Sequence, residues 1–496
     1  MLYQSTRGDE KRIPSAQAIA QGLCQDGGLY VPETFPKLSE HAIIDFVSRP
    51  YADRAAYVMS LFLTDFSSEE IFEYATKAYS EPGFDDARIA PLHKLDSNTH
   101  FLELWHGPTS AFKDMALQML PELLVASLRK TEEKREVCIL VATSGDTGKA
   151  ALDGFKDVDG TKIMVFYPSD GVSDVQKLQM TTQEGGNVNV VAIEGNFDDA
   201  QTGVKMIFSD ETLRKELSDT GFLLSSANSI NWGRLVPQIA YYFSAYCDML
   251  ACGEIELGDK INFCVPTGNF GNILAAYYAE KMGLPIGKLI CASNKNDVLT
   301  QFISTGTYDK NRQFFTTASP SMDILVSSNL ERFLFEASGK DGEAVSKLMS
   351  ELDRGGLYNA PDSVKTEIQR IFDCSMCSED DTMNTIKDVF TNQNYLIDTH
   401  TAVAYKVLKD YRDKTGDKRP AIVVSTASPF KFCDNVLGAL NTPLDGTGLK
   451  LLDTLSQATG NPIPAPLKEL EGKNQRFSSA VKVEQMKAEV IKFLRG

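Results

Sequence analysis

A lysine stands in the stretch 104-LWHGPTSAFKDMALQML-120 where a lysine has no ordinary structural task. Gly107 and Pro108 punctuate a turn, and Thr109 and Ser110 are residue types that cap helices. Met115, Leu117, Met119 and Leu120 then give the apolar pattern of a buried helix, so Lys113 enters an apolar first turn. Burial and the positive end of a helix both oppose an ammonium charge and push the side chain towards its neutral amine. A neutral amine is a nucleophile that forms Schiff bases with carbonyl compounds, pyridoxal phosphate foremost. The competing interpretation is an exposed lysine paired with Asp114 on a solvated face. The two differ in whether Lys113 is buried and in which way Asp114 turns.

Four further stretches have the make-up of ligand-binding loops. The first, 142-ATSGDTGKAAL-152, follows an apolar strand and opens a helix, and its small residues let backbone amides come close to a ligand. It is not a nucleotide loop: Thr143 stands where a Walker sequence has its first Gly, and Ala150 follows Lys149 where Ser or Thr would hold magnesium. The second, 266-PTGNFGN-272, joins a strand to the helical pattern 273–282, and its two glycines around polar residues make a nest of amides suited to phosphate. The third, 228-NSINWGR-234, sets two amide side chains, a hydroxyl and Arg234 ahead of a helix. Arginine forks onto carboxylates and phosphates, although a plain surface salt bridge uses the same residue. The fourth, 425-STASPFKF-432, ends a strand with the hydroxyls of Ser425, Thr426 and Ser428, which ordinary turn chemistry would also explain.

The elements that must position these loops are strands alternating with helices. Four apolar strands at 137–142, 162–167, 189–195 and 222–228 each lead into a helical pattern, and a second series runs through 261–265, 288–293 and 421–428. Such alternation predicts parallel sheets covered on both faces, with ligands at the carboxyl ends of the strands. The predicted layout is a mainly helical N-terminal domain at 1–95, a small α/β domain at 137–228, and a large α/β domain from 96–136 with 229–496. Within the last, 321–339 reads as one amphipathic helix, 351–364 as a turn-rich surface region, and the C-terminus as a helix.

The 496 residues carry 50 Lys and Arg against 67 Asp and Glu, a net charge of −17 that speaks against nucleic acid or an anionic membrane as partner. No long apolar run occurs and the first twelve residues lack the apolar core of a signal peptide, so a cytoplasmic protein, monomer or homodimer, is the expectation. The nine cysteines are scattered, several inside apolar runs, as buried thiols are. Cys374 and Cys377 form a CxxC with no second pair at zinc spacing, no HExxH occurs, and the Asp157, Asp159, Gly160 group has Phe155 and Phe166 at the end positions of a calcium loop; no metal site is expected.

Taken jointly, HGPTSAFKD, ATSGDTG, NSINWGR, PTGNFGN and STASPFKF resemble threonine synthases of the larger, yeast-like form, PLP-dependent enzymes with the tryptophan synthase β-subunit fold (fold type II). The likeness extends to STRG (5–8), DGGLYVPE (26–33), YP (167–168), QMTT (179–182), SPSMDIL (319–325) and DTHTAVAY (398–405). One departure is Ser428, where that family commonly carries His. The resemblance implies that Lys113 is the Schiff-base lysine and Asp146 the partner of the cofactor's ring oxygen. It implies further that Gly268, Asn269, Phe270, Gly271 and Asn272 hold the cofactor phosphate, that Thr426 faces the pyridine nitrogen, and that Thr143, Ser144, Asn228, Ser229 and Arg234 grip the substrate's phosphate. The reaction implied is that of O-phosphohomoserine with water to give threonine and phosphate. A PLP-dependent phospho-lyase forming a 2-keto acid is the alternative, and the intact lysine and loops argue against a binding-only relative.

Overall fold

A computed structural model describes residues 1–169 and 172–495. Two parallel sheets dominate it. The larger has six strands in the order Phe372–Met376, Ile286–Ser293, Ile261–Pro266, Ala421–Ser425, Thr99–Glu103, Leu92–Lys94, all neighbours parallel except the final pair. The smaller has five parallel strands in the order Ala480–Val481, Val188–Ile193, Thr161–Pro168, Glu136–Ala142, Phe222–Ser225. The central strands are buried on both faces, which is why they read as unbroken apolar runs. The predicted fold class, fold type II with two parallel-sheet units, is the one observed.

Several boundaries differ from expectation. The N-terminal region has the predicted helices, Ser15–Gln21, Glu40–Val47, Tyr51–Ser60 and Ser68–Ala78, but also an antiparallel three-stranded sheet of Leu2–Ser5, Ile13–Pro14 and Tyr30–Pro32. Strands of two to four residues are too short to show a period of two. The strand Leu92–Lys94 joins the large sheet, so the boundary at 95 falls late. At the other end, the assignment of all of 229–496 to the large unit needs correction: Ala480–Val481 extends the small sheet, and the helix Met486–Arg495 packs on the helix Phe197–Ser209. Met486, Val490 and Leu494 recur every four residues and cluster with Ala200 and Val204, and a Cβ at Gly203 would sit 2.1 Å from the Met486 sulfur. That close approach carries the C-terminal helix to the small sheet.

Segment 321–339 is not one helix. Only Leu330–Ala337 is α-helical; Pro320–Met322 forms a short 3₁₀ turn and the residues between are irregular. Segment 351–364 is less irregular than its turn residues suggest: the helix Gly342–Gly355 ends on left-handed Gly356, the strand Leu357–Asn359 follows, and Pro361 caps the helix Asp362–Ile371. Cys374 belongs to a strand of the large sheet, and among the described residues no group of side chains with metal-binding geometry occurs. No helix among them is long and apolar enough to cross a membrane.

Candidate active site

Every loop singled out above lies at the carboxyl end of a parallel strand or in the turn that packs against it. The turn before Lys113 is stitched to the strand end at 425–428: Phe112 N donates to the Thr426 carbonyl (2.8 Å), Ser428 N donates to the Ser110 carbonyl (3.1 Å), and Ala111 bridges to Ala427. Thr109 and Ser110 do not cap a helix. The helix that follows is Asp114–Leu117, and Lys113 itself occupies the cap position. Thr109 instead donates its amide (2.8 Å) and hydroxyl (2.6 Å) to the fully buried Asp114 carboxylate. Asp114 therefore turns away from Lys113, and the exposed-pair interpretation of this lysine fails.

No carboxylate lies within 4.0 Å of Lys113 Nζ among the described residues. Burial lowers its pKa to about 8; Arg234 and Lys431 push the same way, while Asp146 and Asp114 oppose them. With only four residues in the adjoining helix, desolvation and neighbouring cations, more than a helix dipole, favour the neutral amine.

Asp146 opens the helix Asp146–Phe155 and is buried. Its Oδ1 accepts from Lys431 Nζ (2.7 Å) and from Gln176 Nε2 (2.7 Å), and Oδ2 accepts from Ser321 Oγ (3.4 Å). Burial alone would raise its pKa, but Lys431, Lys113 and Gln176 together hold it well below the usual carboxylate range. In the same loop Thr143 Oγ1 accepts the amides of Gly145 (3.0 Å) and Gly148 (2.8 Å), so it shapes the loop and keeps one hydroxyl hydrogen to donate. Ser144 is half-buried beside it.

The loop 268–272 is built for a close approach. Phe270 sits at φ +61 as the cap of the helix Gly271–Lys281, turning the first helical amides outward, where they lack intrahelical acceptors. Its ring leaves the site and packs against Phe333 and Phe372, so Phe270 offers backbone alone. Asn269 is exposed, and its carbonyl accepts the Asn329 amide. Asn272 Oδ1 accepts hydroxyls from Tyr241 and Tyr242 (both 2.6 Å), which leaves Nδ2 buried without a partner. A Cβ at Gly271 would meet nothing nearer than Asn329 Nδ2 at 3.5 Å. An orphaned donor beside an open cradle of amides fits a phosphate. A Cβ at Gly268, by contrast, would sit 2.6 Å from the Ser321 carbonyl oxygen. Gly268→Ala is therefore expected to displace the loop and weaken cofactor retention about 5- to 100-fold, from the roughly 1–3 kcal/mol of overpacking. Cofactor content after ultrafiltration measures it, and unaltered retention would take this loop out of the phosphate site.

Ser229 adjoins that nest, its Cβ 3.8 Å from the point a Cβ on Gly271 would occupy, and its Oγ accepts from Asn329 Nδ2 (3.1 Å). Asn228 is half-buried. Arg234 lies on the first turn of the helix Trp232–Ala251 and is only 4% exposed. Its Nη1 donates to the Ala227 carbonyl (2.7 Å), its Nε is orphaned, and it has no carboxylate partner among the described residues. Burial pushes its pKa down to about 10, so it stays charged at neutral pH. The Thr426 hydroxyl has no hydrogen-bond partner among the described residues. Ser428, the departure from the family pattern, is fully buried and caps the next turn by accepting the Phe430 amide (3.3 Å).

The chain matches family profiles described as "Threonine synthase N terminus" over residues 2–79, "Pyridoxal-phosphate dependent enzyme" over 87–427 and "Threonine synthase, C-terminal" over 401–491. It is 41% identical over 88% of its length to threonine synthase of Pseudomonas aeruginosa, covering 90% of that protein. The chain belongs to the threonine synthase family. The structure of PLP-bound threonine synthase from Brucella melitensis superposes with a TM-score of 0.87 at 36% identity, covering 100% of both chains. Human threonine synthase-like 1 is 42% identical over 86% of this chain, which spans 58% of that longer protein's length.

Four residues that this family member brings to the site do not stand out in the sequence. Lys431 carries the best signal of the four, since it sits in the apolar PFKF turn as Lys113 sits in its own apolar turn. Ser321 touches Asp146, and its amide donates to His400 Nε2 (3.2 Å), whose Nδ1 faces Asp398 (2.7 Å). Asn329 ties the two phosphate-type loops together through Asn269 and Ser229, and Gln176 holds Asp146. Ser321 and Asn329 belong to the long stretch between the strands Ile286–Ser293 and Phe372–Met376, which thereby serves as the brace of the site.

Proposed function

We propose that this protein converts O-phosphohomoserine and water to threonine and phosphate with pyridoxal phosphate as cofactor. Arg234 carries the reading: a buried guanidinium with an orphaned Nε and no carboxylate among the described residues, on a different strand–helix connection from the 268–272 nest, supports a second anion site. One phosphate belongs to the cofactor and the other to the substrate. The residues present fit the cofactor: the amides of Gly268, Asn269, Phe270, Gly271 and Asn272 would hold its phosphate, Thr426 would meet its pyridine nitrogen, and Asp146 would lie toward its ring oxygen. When bound, it supplies an electron-withdrawing ring that acidifies the carbons beside the substrate's amine.

The chain's own residues do the rest. Lys113, with its pKa lowered to about 8, is the group that takes the proton from Cα, a role worth roughly 10²–10⁴-fold. Arg234, with Asn228, Ser229 and the Ser144 and Thr143 hydroxyls, orients the substrate phosphate for departure from Cγ. The cations Lys113, Lys431 and Arg234 outnumber the carboxylates Asp146 and Asp114 near Lys113, an excess that helps offset bound anions in a chain whose net charge is −17. The alternative, a phospho-lyase, expels phosphate from Cβ and needs the same grip one carbon nearer the ring.

O-Phosphohomoserine in labelled water separates the two. The expected products are threonine and inorganic phosphate in near-equal amounts, with solvent oxygen in the threonine hydroxyl and 2-oxobutyrate as a minor product. Mainly 2-oxobutyrate, or threonine without solvent oxygen, would overturn the synthase, and phosphate release from O-phosphothreonine in its place would favour the lyase.

A further inference from the structure

Lys431 is fully buried on the turn Pro429–Phe432 that follows the large-sheet strand Ala421–Ser425. Its ammonium donates to Asp146 Oδ1 (2.7 Å) on the small-sheet helix and to the Thr109 carbonyl (2.9 Å) in the turn leading to Lys113. Its own carbonyl accepts from Ser173 Oγ (3.3 Å) at the start of the next small-sheet helix. One residue thus joins the large sheet, the small sheet and the turn that carries the reactive lysine. Gln179 Nε2 reaches the same Thr109 carbonyl (3.3 Å) from the small sheet. A structural ion pair would need only two of these partners, and nothing about fold stability calls for both charges to sit beside Lys113.

We propose that Lys431 is a positioning residue of this active site: its ammonium clasps Asp146 to the Lys113 turn, and this clasp sets the closed arrangement of the two sheets and the field in which Lys113 works. Lys431 has a carboxylate at 2.7 Å, whereas Lys113 has none within 4.0 Å among the described residues and so is the amine without a fixed partner. The charged groups facing Lys113 are Asp146, Asp114, Arg234 and Lys431. Among them Lys431 acts twice: it repels a proton on Lys113 directly, and it engages the carboxylate that would otherwise stabilise one. Losing it should therefore make Lys113 more basic, and loosen the contact between the sheets at the same time.

The inference rests on reading this cleft as the active site, but its test uses no substrate, so it stands or falls separately from the choice between synthase and lyase. In the full chain without cofactor, the pH at which an amine-selective label reacts half-maximally at Lys113 is read by peptide mass spectrometry. Lys431→Gln is expected to raise that midpoint by about one pH unit from about 8. A midpoint left at about 8 in a folded Lys431→Gln protein would reduce Lys431 to a structural ion pair and overturn the proposal. If the unpaired Asp146 prevents folding, the Lys431→Gln/Asp146→Asn double variant carries no unpaired buried charge. There, amide hydrogen exchange in residues 107–113 and 146–155 is expected to rise together about tenfold over the wild type, with the strand Ile261–Pro266 unchanged. Unchanged exchange in both segments would equally overturn it.

Discussion

Lys113→Ala should lose at least about 10³-fold in turnover, since on the proposed roles the substitution removes both the anchor of the cofactor and the base, and a positioned base alone is worth roughly 10²–10⁴. In the wild type, borohydride should fix the cofactor to the peptide containing Lys113. The Ala variant should bind the cofactor only through the 268–272 nest and leave no peptide labelled. The peptide map matters because a second buried lysine, Lys431, is close at hand. Lys431 is paired with Asp146 at 2.7 Å, whereas Lys113 has its pKa lowered to about 8 and no carboxylate partner among the described residues. Label on the peptide containing Lys431 would reverse the assignment.

Arg234→Ala is expected to lower kcat/KM about ten- to a hundredfold while cofactor content stays normal, because a charge-assisted hydrogen bond is worth roughly 1.5–3 kcal/mol. The side chain is anchored at one end by the Ala227 carbonyl, 2.7 Å from Nη1, and its Nε has no partner, so its remaining donors are available to an anion. Arg234→Lys should recover only part of the loss, since a point charge cannot reproduce the planar fork. Loss of cofactor with unchanged use of substrate would move Arg234 to the cofactor's phosphate and leave the substrate site without its cation. Paired with Gly268→Ala, the two variants should separate the anion sites: one loses substrate, the other cofactor.

The local features of this site are written in the chain itself. An isolated lysine in an apolar turn, a strand leading into glycine-bracketed polar residues and an arginine at the start of an apolar helix are each set by backbone rules acting over fewer than about ten residues. They put Lys113, the nest at 268–272 and Arg234 at strand ends or the turns against them, and the parallel sheets follow from strands alternating with helices. Which of these features meet is a different matter. Asp114, next to Lys113 in the chain, reads as its natural partner, yet adjacent residues on a turn point apart, and the carboxylate goes to Thr109. Asp146 finds its cation in Lys431, far along the chain, because the strand Ala421–Ser425 inserts beside Thr99–Glu103 and carries its PFKF turn over the small sheet. The brace of Ser321 and Asn329 has no local signature, since its polar side chains gain meaning only from the loop carbonyls and hydroxyls that they are folded against. Short-range propensity determined what each loop can bind. Sheet order, a product of apolar burial over hundreds of residues, decided which charges face one another, and so which of the two lysines is paired with a carboxylate and which is not.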